Sequence, residues 1–177
     1  MNTPNKLTLI RVIMVPIFVI LMYQDFSSAR MVSTIVFAAA SFTDFLDGHI
    51  ARKNNLVTNF GKFADPLADK ILVCSAMILL ASTNEIPAWM VIIIIAREFA
   101  ITGFRIIAAS ENITIAASPL GKIKTVSQLI SLILLLTNID ALRTPGLYIF
   151  YFATFFTVVS GIDYFKKNIK VLDLENI

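Results

Sequence analysis

Six apolar stretches, at about residues 7–24, 30–53, 60–82, 87–109, 121–138 and 145–165, each approach the helix length that crosses a bilayer. Such a chain has few folding options. Backbone groups in hydrocarbon must be satisfied within their own segment, which leaves a bundle of helices. The composition agrees, at 57% hydrophobic residues and a mean hydropathy of +0.79. With 177 residues there is room for one bundle, so 1–177 is expected to be a single membrane-embedded domain. The predicted fold class is all-α integral membrane: six transmembrane helices preceded by a short N-terminal interfacial helix, capped by Thr3-Pro4-Asn5-Lys6. The breaks are polar: Gln24-Asp25-Phe26-Ser27-Ser28, Lys53-Asn54-Asn55, Ser82-Thr83-Asn84-Glu85, Glu111-Asn112 and Thr137-Asn138-Ile139-Asp140, the last gap closing at Pro145-Gly146. Leu7 to Tyr23 lacks a small-x-small cleavage site and reads as a retained first span. The single cysteine, Cys74, excludes an intrachain disulfide and reads as a small buried hydrophobe.

Charge sets the expected orientation. With the N-terminus on the cytoplasmic side, thirteen of the fifteen Lys and Arg residues fall toward that side, and only Arg30 and Arg143 face out. Both termini are then cytoplasmic, in a multi-pass protein of the cell membrane. The basic tail Lys166, Lys167 and Lys170 serves topology and headgroup attraction, with Asp163 as its nearest counter-charge. Trp89 suits an interfacial anchor, and nothing in the basic residues points to a nucleic-acid partner.

Four carboxylates interrupt this apolar pattern: Asp44-x-x-Asp47-Gly48-x-x-Ala51-Arg52, eight further residues, then Gly61-x-x-x-Asp65-x-x-x-Asp69. A carboxylate near hydrocarbon is costly, so a cluster of four marks a site. Asp44, Asp47, Gly48 and Ala51 share one helical face; Gly61, Asp65 and Asp69 form a stripe on the next helix. Divalent cations are the natural neutralisers of such a set. Gly48, Ala51 and Gly61 keep the same faces low, which makes room for a ligand, although small residues in membrane helices commonly serve packing alone. Pro66 implies a kink or an early-helix position beside Asp65. His49, the only histidine, lies off the Asp44/Asp47 stripe and reads as solvated.

This spacing resembles the signature of the CDP-alcohol phosphatidyltransferase family. All eight defined residues between Asp44 and Asp69 match, and the likeness extends to the six-span layout. It implies a CDP-alcohol phosphotransferase-like fold and a homodimeric membrane enzyme that breaks the pyrophosphate of a CDP-linked lipid and releases CMP. It further implies that Asp44, Asp47, Asp65 and Asp69 hold Mg²⁺ or Mn²⁺, with Asp69 as general base and Asp65 beside it in the catalytic set. Asp44, Gly48, Ala51, Arg52 and Gly61 would line the CDP pocket, and Asn5 and Thr8, in the stretch Pro4 to Arg11, would close over the nucleotide.

The acceptor is addressed by a second set. Arg97 and Arg105 flank Glu98 in the fourth apolar run; Lys122 and Lys124 open the fifth, and Lys70 follows Asp69. A structural ion pair would account for Glu98 and one arginine. The remaining cations suggest an anionic ligand, and a phosphate suits them. The segments Arg97 to Arg105 and Gly121 to Thr125 also resemble the branch of the family that makes phosphatidylglycerophosphate. That implies CDP-diacylglycerol and sn-glycerol 3-phosphate as substrates, with inositol phosphate the nearest competing acceptor. Two other classes use membrane aspartates. Intramembrane prenyltransferases need a longer chain with distant motifs, and a small cation transporter would leave the glycine stripes and the Arg/Lys set without a role.

Overall fold

The computed structural model describes the backbone of residues 3–53, 59–110, 113, 115 and 118–168, and the side chains of 9–43, 68, 70–109, 113, 115 and 118–168. Six helices account for nearly all of it: α1 Thr3–Met22, α2 Ala29–Lys53, α3 Asn59–Ser82, α4 Ala88–Ser110, α5 Pro119–Leu136 and α6 Asp140–Asn168. All six expected helices are present. Two boundaries differ. The expected interfacial helix is not a separate element, because α1 runs unbroken from Thr3; Pro4 sits at its second position, where a missing N–H costs nothing. The last helix begins at Asp140, not at Pro145. An acidic residue in the first turn favours the positive helix end, and a proline in the second turn removes only one bond.

Asparagines close two helices. Asn84 and Asn138 adopt φ of 58° and 56°, the left-handed conformation that asparagine tolerates. After α3 the Glu85 N–H donates back to the Leu80 carbonyl at 2.9 Å, so the chain turns tightly into α4. α5 starts with Ser118 as N-cap, its hydroxyl accepting from the Gly121 N–H, and Pro119 follows at the first helical position.

The helices pack as antiparallel neighbours. α1 lies against α2 and α3, α4 against α3 and α6, and α5 against α6, α2 and α3. Phe18, Phe37, Leu72, Met77, Leu80, Met90, Ile94, Leu132 and Phe150 are fully buried at their junction. The α5–α6 contact depends on Gly146: a Cβ there would lie 3.0 Å from Leu135 Cγ, and the Ser131 hydroxyl donates to the Gly146 carbonyl at 2.7 Å.

One end of the bundle is tied by an ion pair. Arg30, at the start of α2, meets both carboxylate oxygens of Glu85 at 2.9 Å, and its Nε and Nη2 donate to the Leu136 and Leu135 carbonyls at the end of α5. The guanidinium thus caps one helix while holding a turn between two others. Glu85→Ala is expected to lower stability by about 2–3 kcal/mol, since it strands a part-buried cation. A thermal or denaturant midpoint measured in detergent, with activity at 25 °C retained, checks this.

Among the described residues, α5 and α6 are long and apolar enough to cross a membrane, and Leu9–Met22, Ala29–Thr43 and Lys70–Ser82 are shorter apolar segments. α4 is interrupted by Arg97, Glu98 and Arg105. Its outward stripe is nevertheless apolar: Ile92, Phe99 and Ile106, seven residues apart, are all exposed.

Candidate active site

α2 and α3 carry the two acidic stripes in helical register. The side chains of Asp44, Asp47, Gly48, Ala51, Arg52, Gly61, Asp65 and Asp69, like those of Asn5 and Thr8, lie outside the described residues. Their helices do not: positions 44 to 52 belong to α2 and positions 61, 65 and 69 to α3, which continues through Pro66. The proline therefore lies inside the helix, beyond its first turn. Among the described residues no group of three metal-ligating side chains occurs. The donor set itself is all carboxylate oxygen, which suits a hard divalent cation such as Mg²⁺ or Mn²⁺.

A cavity of about 240 Å³ opens between α2, α3, α4 and α5. Ser41 lines it from α2 and Val73 from α3. Position 44 follows Ser41 by three residues and position 69 precedes Val73 by four, so both acidic stripes continue the cavity-lining faces. One part of the wall is apolar, with Val73, Met77, Val126 and Leu129. Cys74 also lines it; expected as a buried hydrophobe, it is only half-buried, because the cavity keeps one side of it open.

The other part is charged. Glu98 on α4 accepts from Lys70 of α3 at Oε2 (3.0 Å), from Arg97 at Oε1 (3.1 Å) and from Lys124 of α5 at the same oxygen. Three cations from three helices thus share one carboxylate, an excess of positive charge among the described residues. Lys124 is only 3% exposed, so its ammonium is withdrawn from bulk water. A charge so placed must be paired. The expected ion pair between Glu98 and an arginine is therefore present, as one part of a larger cluster. The Thr102 hydroxyl donates to the Glu98 carbonyl at 2.7 Å, and Gln128 Nε2 donates to Met77 Sδ at 3.2 Å across the cavity.

Not every expected cation joins. Lys122 is exposed on the opposite flank of α5, beside Ile130, Ile149 and Phe152, because two residues turn a helix by about 200°. Arg105 lies eight residues beyond Arg97, where its Nε donates to the Tyr164 hydroxyl at 3.2 Å and its guanidinium stands 5.5 Å from that ring's centre. Phe104 and Phe165 complete this aromatic corner. The basic tail behaves as expected at one point: Lys167 pairs with Asp163 at 2.9 Å.

Sequence reasoning did not single out three further residues. Arg11 on α1 is fully buried, and its Nε donates to the Ala40 carbonyl, one turn before position 44. Ser160 and Gly161 on α6 touch Arg97. Their only signal is a polar and small pair inside an apolar run.

A family model described as CDP-alcohol phosphatidyltransferase matches residues 1–159. The chain belongs to the CDP-alcohol phosphatidyltransferase family. It is 47% identical, over 99% of both chains, to the CDP-diacylglycerol–glycerol-3-phosphate 3-phosphatidyltransferase of Bacillus subtilis (strain 168). Proteins of the same name from Rickettsia bellii (39% identical, 93% of this chain and 94% of that one) and Salmonella typhimurium (38%, 92% of each) are also similar. Members of the CDP-alcohol phosphatidyltransferase family are membrane proteins. The exposed Ile92, Phe99 and Ile106 of α4, with Phe152, Phe155 and Ile162 of α6, are then the surface that meets lipid.

Proposed function

We propose that this chain transfers the phosphatidyl group of CDP-diacylglycerol to sn-glycerol 3-phosphate, giving phosphatidylglycerophosphate and CMP. The single observation that carries the choice of acceptor is the convergence of Lys70, Arg97 and Lys124 on Glu98. A pocket with cations in excess calls for an anionic ligand, and a phosphate monoester offers the oxygens that Arg and Lys donors take. Free serine or choline would need no such pocket. The similar proteins, named for glycerol 3-phosphate, support the same choice.

In this reading the acceptor's phosphate sits among the cations and its hydroxyl points along α3 toward position 69. The hydroxyl oxygen forms a bond to the lipid-side phosphorus, the bond from that phosphorus to the bridging oxygen breaks, and CMP leaves with the electron pair. Asp69 takes the hydroxyl proton. Asp44, Asp47, Asp65 and Asp69 would hold one or two Mg²⁺ or Mn²⁺ ions, which supply charge neutralisation for the pyrophosphate. Gly48, Ala51, Arg52 and Gly61 would line the CDP pocket, with Asn5 and Thr8 over the nucleotide. Arg105, held by Tyr164, would act on the approach of the anionic acceptor.

All six helices span the membrane in this reading, with both termini and the site cytoplasmic, and two copies pair. The thirteen-to-two distribution of cations supports the orientation. Placing the site on that side lets a lipid-borne donor meet a soluble acceptor.

An acceptor panel tests the assignment. Purified protein with labelled CDP-diacylglycerol and Mg²⁺ is expected to release CMP with glycerol 3-phosphate at least about 100-fold faster than with serine, choline or inositol phosphate. CMP release with another acceptor alone would overturn the choice of glycerol 3-phosphate. No release with any acceptor would overturn the activity.

A further inference from the structure

Arg97 is held by α6 as much as by its own helix. Its Nη1 faces Glu98, while Nη2 donates to Ser160 Oγ at 3.1 Å. The Ser160 hydroxyl in turn donates to the Thr157 carbonyl at 3.3 Å, which leaves its oxygen lone pairs for the guanidinium. A Cβ added to Gly161 would lie 3.3 Å from Arg97 Cγ and 3.9 Å from Nε; one added to Gly121 would lie 3.8 Å from Nη2. Two glycines on different helices therefore keep open the notch through which Arg97 runs.

The notch has a chemical consequence. Nε of Arg97 is buried and has no hydrogen-bond partner among the described residues. Nε and Nη2 form the side edge of the planar guanidinium, the edge that takes two phosphate oxygens together. A buried donor left open in this way ordinarily awaits a ligand or a water. Glu98 competes for that edge, since it is the next residue in the chain and already holds Nη1. Without a partner on α6, the guanidinium is free to turn more of its donors onto the carboxylate.

We infer that Ser160 and Gly161 are positioning residues for the acceptor, seating Arg97 so that its Nε and Nη2 edge stays open to the phosphate. This rests on the proposed function, since it assumes that the cations of the cavity receive the acceptor. Ser160 supplies the anchor and Gly161 the room.

The test is a set of variants assayed with CDP-diacylglycerol, Mg²⁺ and glycerol 3-phosphate, with KM for each substrate and Tm measured on every one. Ser160→Ala is expected to raise KM for glycerol 3-phosphate about tenfold, leaving KM for CDP-diacylglycerol within about twofold. Gly161→Ala, which intrudes on the stem of Arg97, is expected to give about a fivefold rise in the same constant. Ser160→Thr, which keeps the hydroxyl, should recover most of the affinity lost in Ser160→Ala. Arg97→Lys removes the planar edge and serves as the reference. If it raises KM for glycerol 3-phosphate while both α6 variants leave that constant unchanged, the seat is overturned and the phosphate pocket stands. A change confined to Tm, or an equal rise in both KM values, would make Ser160 and Gly161 purely structural and overturn the seat. If Arg97→Lys also leaves the acceptor KM unchanged, the pocket itself fails and the seat with it.

Discussion

Asp69→Asn is expected to cut CMP release by about 10³-fold while CDP-diacylglycerol still binds, because asparagine keeps the shape of aspartate but cannot accept a proton. Position 69 is suited to the task by its surroundings on α3. It lies between Ala68, buried in the bundle, and Lys70, which reaches Glu98, and one turn before Val73 in the cavity wall. A base there stands between the acidic stripes and the cation cluster, where an acceptor held by its phosphate would present its hydroxyl. Equilibrium binding of labelled CDP-diacylglycerol, measured beside turnover, separates two roles for this carboxylate. Retained binding with lost turnover supports the base. Loss of both would make Asp69 chiefly a metal ligand and move the proton to another acceptor.

Much of the fold was legible because each helix ends on local chemistry. Asn84 and Asn138 take left-handed turns, and Ser118-Pro119 starts α5, all within polar breaks visible in the chain. Pro145 misled for a local reason: a proline early in a helix resembles a boundary, and only the backbone shows that Asp140 had already started the helix. The acidic stripes were legible from spacing, since i, i+3 and i, i+4 place residues on one face whatever the partner helix. The cation cluster was half legible. Which cations belong in a pocket follows from residue type, but which flank of α5 turns toward α4 is a matter of packing. Ser160 and Gly161 were opaque because their importance comes from Arg97, which lies more than sixty residues away in the chain. The Arg30–Glu85 clamp was hidden for the same reason, its two halves being 55 residues apart.

The two lysines of Gly121-Lys122-Ile123-Lys124 should therefore behave differently, although sequence treats them alike. Lys124 is buried against Glu98 in the cavity, and Lys122 is exposed on the apolar outer flank of α5. A charge-assisted contact to a phosphate is worth about 1.5–3 kcal/mol, so Lys124→Gln is expected to raise KM for glycerol 3-phosphate by roughly 10–100-fold. Lys122→Gln is expected to change it less than about twofold, the effect of one screened surface charge. Neither should alter the affinity for CDP-diacylglycerol, which is read by the other end of the site. Glutamine at position 124 keeps a donor for Glu98 and most of the side-chain volume, which favours folding, and a Tm within a few degrees of the parent would establish it. Equal effects of the two substitutions on the acceptor would mean that the cations act by general attraction of an anion toward the membrane face. A large effect at Lys124 alone would show that the acceptor is held by contact, in a pocket whose charge is set by Glu98.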